Sequence, residues 1–181
     1  APVACFKWRV RTKSVGEAMV RRVGAAVFEQ APVAVKQIRG TEPLLSSLFA
    51  DLERLRSPEG WLYASTSIFH CLFGRDSLIT SLQLLTLDPT IAASTLRALA
   101  DRQGRVVDDR REEQPGKILH EDRDLTDARG QELVANGWAF PYYGSVDATP
   151  LFLCVLWDYY RTTGDAVLLE ELWPNAWRAY E

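Results

Sequence analysis

Residues 142–160 read YYGSVDATPLFLCVLWDYY, and the fold class turns on this stretch. Phe152, Val155, Leu156 and Tyr159 recur at intervals of three and four, the spacing of one helical face. Leu151, Leu153 and Cys154 extend the apolar character to nearly every face, so the pattern predicts a buried helix beginning near Ser145. Its longest apolar run, Leu151 to Trp157, is seven residues, well short of the roughly 20 that a membrane helix needs. Asp147 falls in the first turn of this helix, beside Tyr142 and Tyr143.

Working outward, the same periodicity returns. Thr163-Gly164-Asp165 starts another helix, which Pro174 is expected to interrupt and reopen. Upstream, Thr41-Glu42-Pro43 opens a helix carrying Leu44, Leu45, Leu48, Phe49, Leu52 and Leu55, closed by Ser57-Pro58-Glu59-Gly60. Asp76 and Ser77 are expected to cap a helix with Leu78, Ile79, Leu82 and Leu85. Asp88-Pro89 supplies an N-cap with proline at the first helical position, ahead of a helix that stops at Gly104. The expectation is an all-α chain of five or six helices in antiparallel hairpins. Residues 1–40 read as a linker or the remnant of a preceding region, with a short strand around Phe6, Trp8 and Val10 and a helix over Val15–Gln30 weakened by two glycines. Residues 41–181 carry the fold. Residues 105–143 are too long for an ordinary connection and too aromatic for disorder, which marks an ordered functional loop.

Composition narrows the class further. The chain has 181 residues, 47% hydrophobic and 25% charged, with net charge −3. These are the proportions of a single globular domain, and the weakly acidic balance lacks the basic footprint of a nucleic-acid binder. Cys5, Cys71 and Cys154 are odd in number and far apart, so they read as buried free thiols in a reducing cytoplasm. With His70 and His120 the only histidines, a Cys/His zinc site is not expected. The start at Ala1-Pro2-Val3 resembles no signal peptide and lacks an initiator Met, which suggests a processed or excised chain.

Three clusters can carry chemistry. In Phe73-Gly74-Arg75-Asp76-Ser77, an Arg and an Asp side by side can hold vicinal hydroxyls, though Asp76 could equally be only a helix cap and Arg75 a surface charge. In Pro115-Gly116-Lys117-Ile118-Leu119-His120-Glu121, with Arg123 beyond, dense donors and acceptors suit a polyol, or make an ordinary solvated loop. In Tyr142–Pro150, Asp147 beside aromatic rings is either a dipole-stabilising carboxylate or a catalytic acid in a sugar site with Tyr142, Tyr143 and Trp138 as stacking surfaces. The GxxxxGK[ST], GxSxG and GxGxxG patterns are absent.

Taken in order, FGRDSLITSLQLL (73–85), PGKILHEDR (115–123) and YYGSVDATPLFL (142–153) resemble bacterial amylo-alpha-1,6-glucosidases of the glycogen-debranching type. Arg75-Asp76-Ser77 is also similar to the Arg-Asp-Ser of glucoamylases. The resemblance implies an (α/α)6 toroid, here truncated to about half its helices, with the sugar site at one mouth. It implies inverting hydrolysis of an α-glucan or oligosaccharide by two carboxylates, without metal or other cofactor. Asp147 would be the general acid, and Arg75 and Asp76 would clamp the terminal glucose. Lys117, His120, Glu121 and Arg123 would line the pocket. Residues 63–71, YASTSIFHC, depart from the family's Ala-Gly-Ile-Pro-Trp-Phe type of run and lose a pocket aromatic. The base would come from the C-terminal half of the catalytic domain, beyond Glu181, which leaves this part inactive alone. Two alternatives stand beside this reading: a non-catalytic carbohydrate-binding or interaction module, and a trehalase or other α-glucosidase on the same fold.

Overall fold

The computed structural model describes residues 42–181, with side chains from residue 47 onward. The expected strand at Phe6–Val10, the helix over Val15–Gln30 and Cys5 lie outside the described residues. The described part is mostly helical, with six helices: α1 (Glu42–Leu55), α2 (Gly74–Leu84), α3 (Pro89–Asp101), α4 (Ala128–Ala135), α5 (Ala148–Thr163) and α6 (Ala166–Tyr180). Two short strands, β1 (Leu72–Phe73) and β2 (Glu121–Asp122), pair antiparallel. Among the described residues no helix is long and apolar enough to cross a membrane.

Local chemistry sets most of the helix ends. The Asp88 carboxylate accepts from the backbone N–H of Thr90, with Pro89 at the first helical position. Asp165 accepts from Val167 and Leu168 at the start of α6. Gly164 takes the left-handed conformation that closes α5. The two hairpins, α2–α3 and α5–α6, pack together: α5 lies against α2 and α3, and α3 also touches α6. Leu78, Ile91, Leu96, Leu99, Phe152, Val155 and Leu168 are fully buried between them. Burying a side chain of this size stabilises by about 1.5–3 kcal/mol.

Four expectations are corrected. The helix bearing Arg75 begins at Gly74, so Asp76 sits within its first turn and Ser77 is buried, donating to the Leu62 carbonyl, and neither is a cap. The helix expected from Ser145 starts at Ala148, and one face of it stays open: Cys154 and Trp157 are exposed. Leu151 and Leu153 are half-buried, so the core takes one side of α5 rather than all of it. Pro174 lies inside α6 instead of opening a new helix. Its missing N–H falls on an exposed position, where the Glu170 carbonyl it would have served can be hydrated. The α1 stripe is only partly used, since Leu52 and Leu55 are half-buried while Leu48 and Phe49 are exposed.

The long segment 105–143 is ordered by backbone pairing and one added helix. Asp108 and Glu113 bridge across a tight turn. α4 is capped by Asp127, which accepts from Gly130. Buried Gln103 fastens the segment to the hairpins, donating to the carbonyls of Gly116 and Asn175 at 2.9 Å each. Its carbonyl oxygen accepts from Asn175 and Arg178 at 3.1 Å. Gly116, at φ +86, allows this approach, because a Cβ there would collide with the Arg178 carbonyl.

Candidate functional site

Backbone hydrogen bonds knit the three sequence clusters into one patch. β1 carries the first cluster and pairs with β2, which belongs to the second: Phe73 faces Glu121. Glu121 in turn bridges Tyr142 of the third. The Gly74 N–H donates to the His120 carbonyl at 3.0 Å, and the His120 N–H to the Tyr142 carbonyl at 2.7 Å. The Ile118 N–H donates to Thr149 Oγ1 at 3.0 Å, tying the second cluster to α5.

Above this patch lies an open cleft of about 330 Å³, lined by Arg75, Glu112, Lys117, His120, Ser145 and Asp147 among others. Arg75 Nη1 donates to Asp147 Oδ2 at 3.2 Å, across 72 positions of sequence. Ser145 Oγ donates to Asp147 Oδ1 at 2.6 Å while accepting the Ala148 N–H at 3.2 Å. Asp147 sits at the cap position of α5 but does not cap it, because Arg75 and Ser145 hold its carboxylate. The Ser145 hydroxyl, then the Arg75 guanidinium, keep the Asp147 carboxyl below the usual range, against the opposing effect of desolvation. Asp76 stands beside Arg75, its Oδ2 4.0 Å from Nε, and its side chain is half-exposed.

Of the expected site residues, Arg75, Lys117, His120 and Asp147 come together on the cleft, and Tyr142 borders it. The His120 ring is flanked edge-on by Phe73 and Tyr142, and Tyr142 by Trp138. Glu121, Arg123 and Tyr143 are elsewhere. Neighbouring residues on extended backbone point to opposite sides, so His120 meets the cleft and Glu121 turns inward. Glu121 pairs there with Arg123, and its Oε1 accepts from the Cys71 thiol at 3.7 Å. Arg123 also donates to the Ile68 carbonyl at 2.9 Å. The same alternation separates Tyr142 from Tyr143, whose buried hydroxyl donates to the Arg102 carbonyl at 2.7 Å. Burial pushes the Tyr143 phenol up to about 12.

Sequence reading overlooked Glu112. It occupies the end of the Asp108–Glu113 turn at φ 51, and its Oε1 accepts from the Tyr142 hydroxyl at 2.7 Å. That bond raises the Tyr142 phenol. Lys117 Nζ donates to the Glu112 backbone carbonyl at 2.8 Å. Nothing in the local sequence distinguishes Glu112 from Glu113, yet the latter is buried, paired with Arg111 and accepting the Arg105 N–H at 2.7 Å. No family model matches this chain, and no curated protein matches it.

Proposed function

We propose that this chain is part of a glycoside hydrolase acting on α-glucosidic bonds, of the amylo-alpha-1,6-glucosidase type, in a cytoplasmic setting. Its two packed hairpins are then a portion of an (α/α)6 toroid, completed by the remainder of the catalytic domain. The observation that carries the reading is the meeting of Arg75, Lys117, His120 and Asp147, drawn from three separate sequence clusters, on one polar cleft edged by aromatic rings. Fixed cationic donors beside carboxylate acceptors match the vicinal hydroxyls of a sugar, and rings at the edge suit its apolar faces. In this reading Arg75 and Asp76 hold the terminal glucose. Asp147 protonates the leaving oxygen, and a base carboxylate some 6.5–9.5 Å away, supplied from outside these residues, activates water.

A second reading has its own observation. The Asp147 carboxyl is held below its usual range, which suits a hydroxyl acceptor in a non-catalytic carbohydrate-binding module. Titrating the chain with isomaltose, maltotriose and cellobiose tests what the two share: the α-glucosides bind, cellobiose does not, and Arg75→Ala abolishes binding. Equal binding of all three, or of none, overturns both. Hydrolysis by the catalytic domain carrying both carboxylates separates them. For a proton donor, Asp147→Asn stops cleavage of isomaltose and spares glucosyl fluoride, whose leaving group needs little protonation. Equal slowing of both substrates assigns Asp147 to binding. Glucose release by the 181-residue chain alone would overturn an external base.

A further inference from the structure

The backbone position of Glu112 does not call for a glutamate. It closes the turn between the bridged residues Asp108 and Glu113 in left-handed backbone, at φ 51, a conformation that glycine or asparagine adopts at lower cost. Lys117 grips its backbone carbonyl, a contact that any residue would supply. The carboxylate makes one hydrogen bond to protein, from the Tyr142 hydroxyl to Oε1. Among the described residues no donor reaches Oε2, and the residue lines the cleft that holds Arg75 and Asp147. An exposed carboxylate with one oxygen held by Tyr142 and the other open is therefore fixed at a left-handed position on the wall of a polar cleft, and strain of this kind gathers where a side chain meets a ligand.

We propose that Glu112 is a substrate-binding carboxylate of this cleft, set in place by Tyr142, whose free oxygen accepts a hydroxyl of the bound α-glucoside; this rests on the sugar-binding reading above. Tyr142 has a double part, since its ring borders His120 while its hydroxyl orients Glu112. Tyr142→Phe should accordingly weaken binding less than loss of the carboxylate itself.

The test titrates the 181-residue chain with isomaltose by ligand-detected NMR, with the intrinsic tryptophan fluorescence, to which Trp138 beside Tyr142 contributes, as a second readout. Losing a charged hydrogen bond to a ligand hydroxyl should weaken binding by about 10- to 100-fold in Glu112→Ala. Glu112→Gln should fall between it and the native chain. Glu112→Gly should lose as much binding as Glu112→Ala while melting at a higher temperature, because glycine fits φ 51. That divergence separates a ligand contact from a structural role, which would make binding follow stability. If the native chain binds isomaltose, Arg75→Ala abolishes it and Glu112→Ala binds at native strength, this inference falls while the cleft reading survives. If the native chain binds no isomaltose, both fall.

Discussion

Gly74→Ala tests the link between fold and cleft at its tightest point. Gly74 opens α2, is buried, and presses against the second cluster, donating its N–H to the His120 carbonyl at 3.0 Å. A Cβ built there would overlap the Leu119 carbonyl oxygen and lie 3.1 Å from Ala148 Cβ and 3.2 Å from the Leu119 carbonyl carbon. The obstacles are backbone and a buried α5 side chain, so no flexible tip can swing aside. The 118–121 segment would have to retreat by about 1 Å. Overpacking of this sort costs about 1–3 kcal/mol, and stretching the Gly74–His120 hydrogen bond adds about 0.5–1.5 kcal/mol. Against this, replacing a helical glycine by alanine returns at most about 0.5–1 kcal/mol. The steric terms win, for a net loss of about 0.5–4 kcal/mol centred near 2 kcal/mol, measurable as a lower denaturant midpoint at unchanged slope. Because the displaced segment carries His120 and Lys117, isomaltose binding should weaken even where the protein remains folded. A loss below about 0.5 kcal/mol with native binding would refute the claim that this contact sets the cleft.

Two further outcomes follow from the same structure. Burial would raise the Asp88 carboxyl, but Thr90 and Arg56 outweigh it and leave the group below its usual value. Its stabilisation is therefore full above the unfolded carboxylate range near pH 4 and is lost as pH falls through the lower folded value. Asp88→Asn, which keeps the cap but not the charge paired with Arg56 at 2.7 Å, should cost about 1 kcal/mol at pH 7. By urea unfolding across pH, that difference should shrink as pH falls below the unfolded carboxylate range; a difference constant with pH would contradict the pairing. Gln103→Ala should cost about 2–4 kcal/mol by the same assay, since it strands the Gly116 carbonyl and unties α6 from the second cluster; a loss below about 1 kcal/mol would show that the network does not hold that loop.

What could be read from the sequence was what depends on near neighbours. Asp88-Pro89 and Asp165 announce helix starts because a cap bonds to N–H groups two or three residues on. The start of α2 could not be read this way, because the Gly74 N–H is satisfied by His120 from another cluster. Asp76, a good cap on paper, was assigned a place already taken. α4 was missed although Asp127 before it and Asn136-Gly137 after it are ordinary start and stop signals; the density of charge around them suggested a loop. Four of the expected site residues meet on the cleft, because their clusters are paired backbone to backbone. Glu121, Arg123 and Tyr143 were assigned by adjacency within a motif, and adjacency on extended chain means opposite faces. Glu112 reaches the cleft through a turn whose direction no periodicity records.

Asp147 brings two lines of physics into one residue. A helix start favours the carboxylate, and the Ser145 hydroxyl and Arg75 favour it further. A proton donor needs the reverse. The side chain is 37% exposed, and desolvation, the one influence that raises the carboxyl, is outweighed by the hydrogen bonds from Ser145 and Arg75 together. A sugar filling the cleft alters both sides of that balance at once. It displaces water from Asp147, which disfavours the charge. It also competes for Arg75, whose fork of donors can leave Asp147 for ligand hydroxyls. Arg75 is therefore more than a clamp in the catalytic reading. While it bonds Asp147 at 3.2 Å it adds to the larger hold of Ser145 on the ionised carboxylate, and in that reading its turn to substrate would remove one of the two side-chain hydrogen bonds that oppose protonation. Ser145 is already committed to the Ala148 N–H as well as to Asp147, so it cannot follow the ligand in the same way. Binding of the glucose and arming of the acid are in this scheme one event, with Arg75 as the group that couples them.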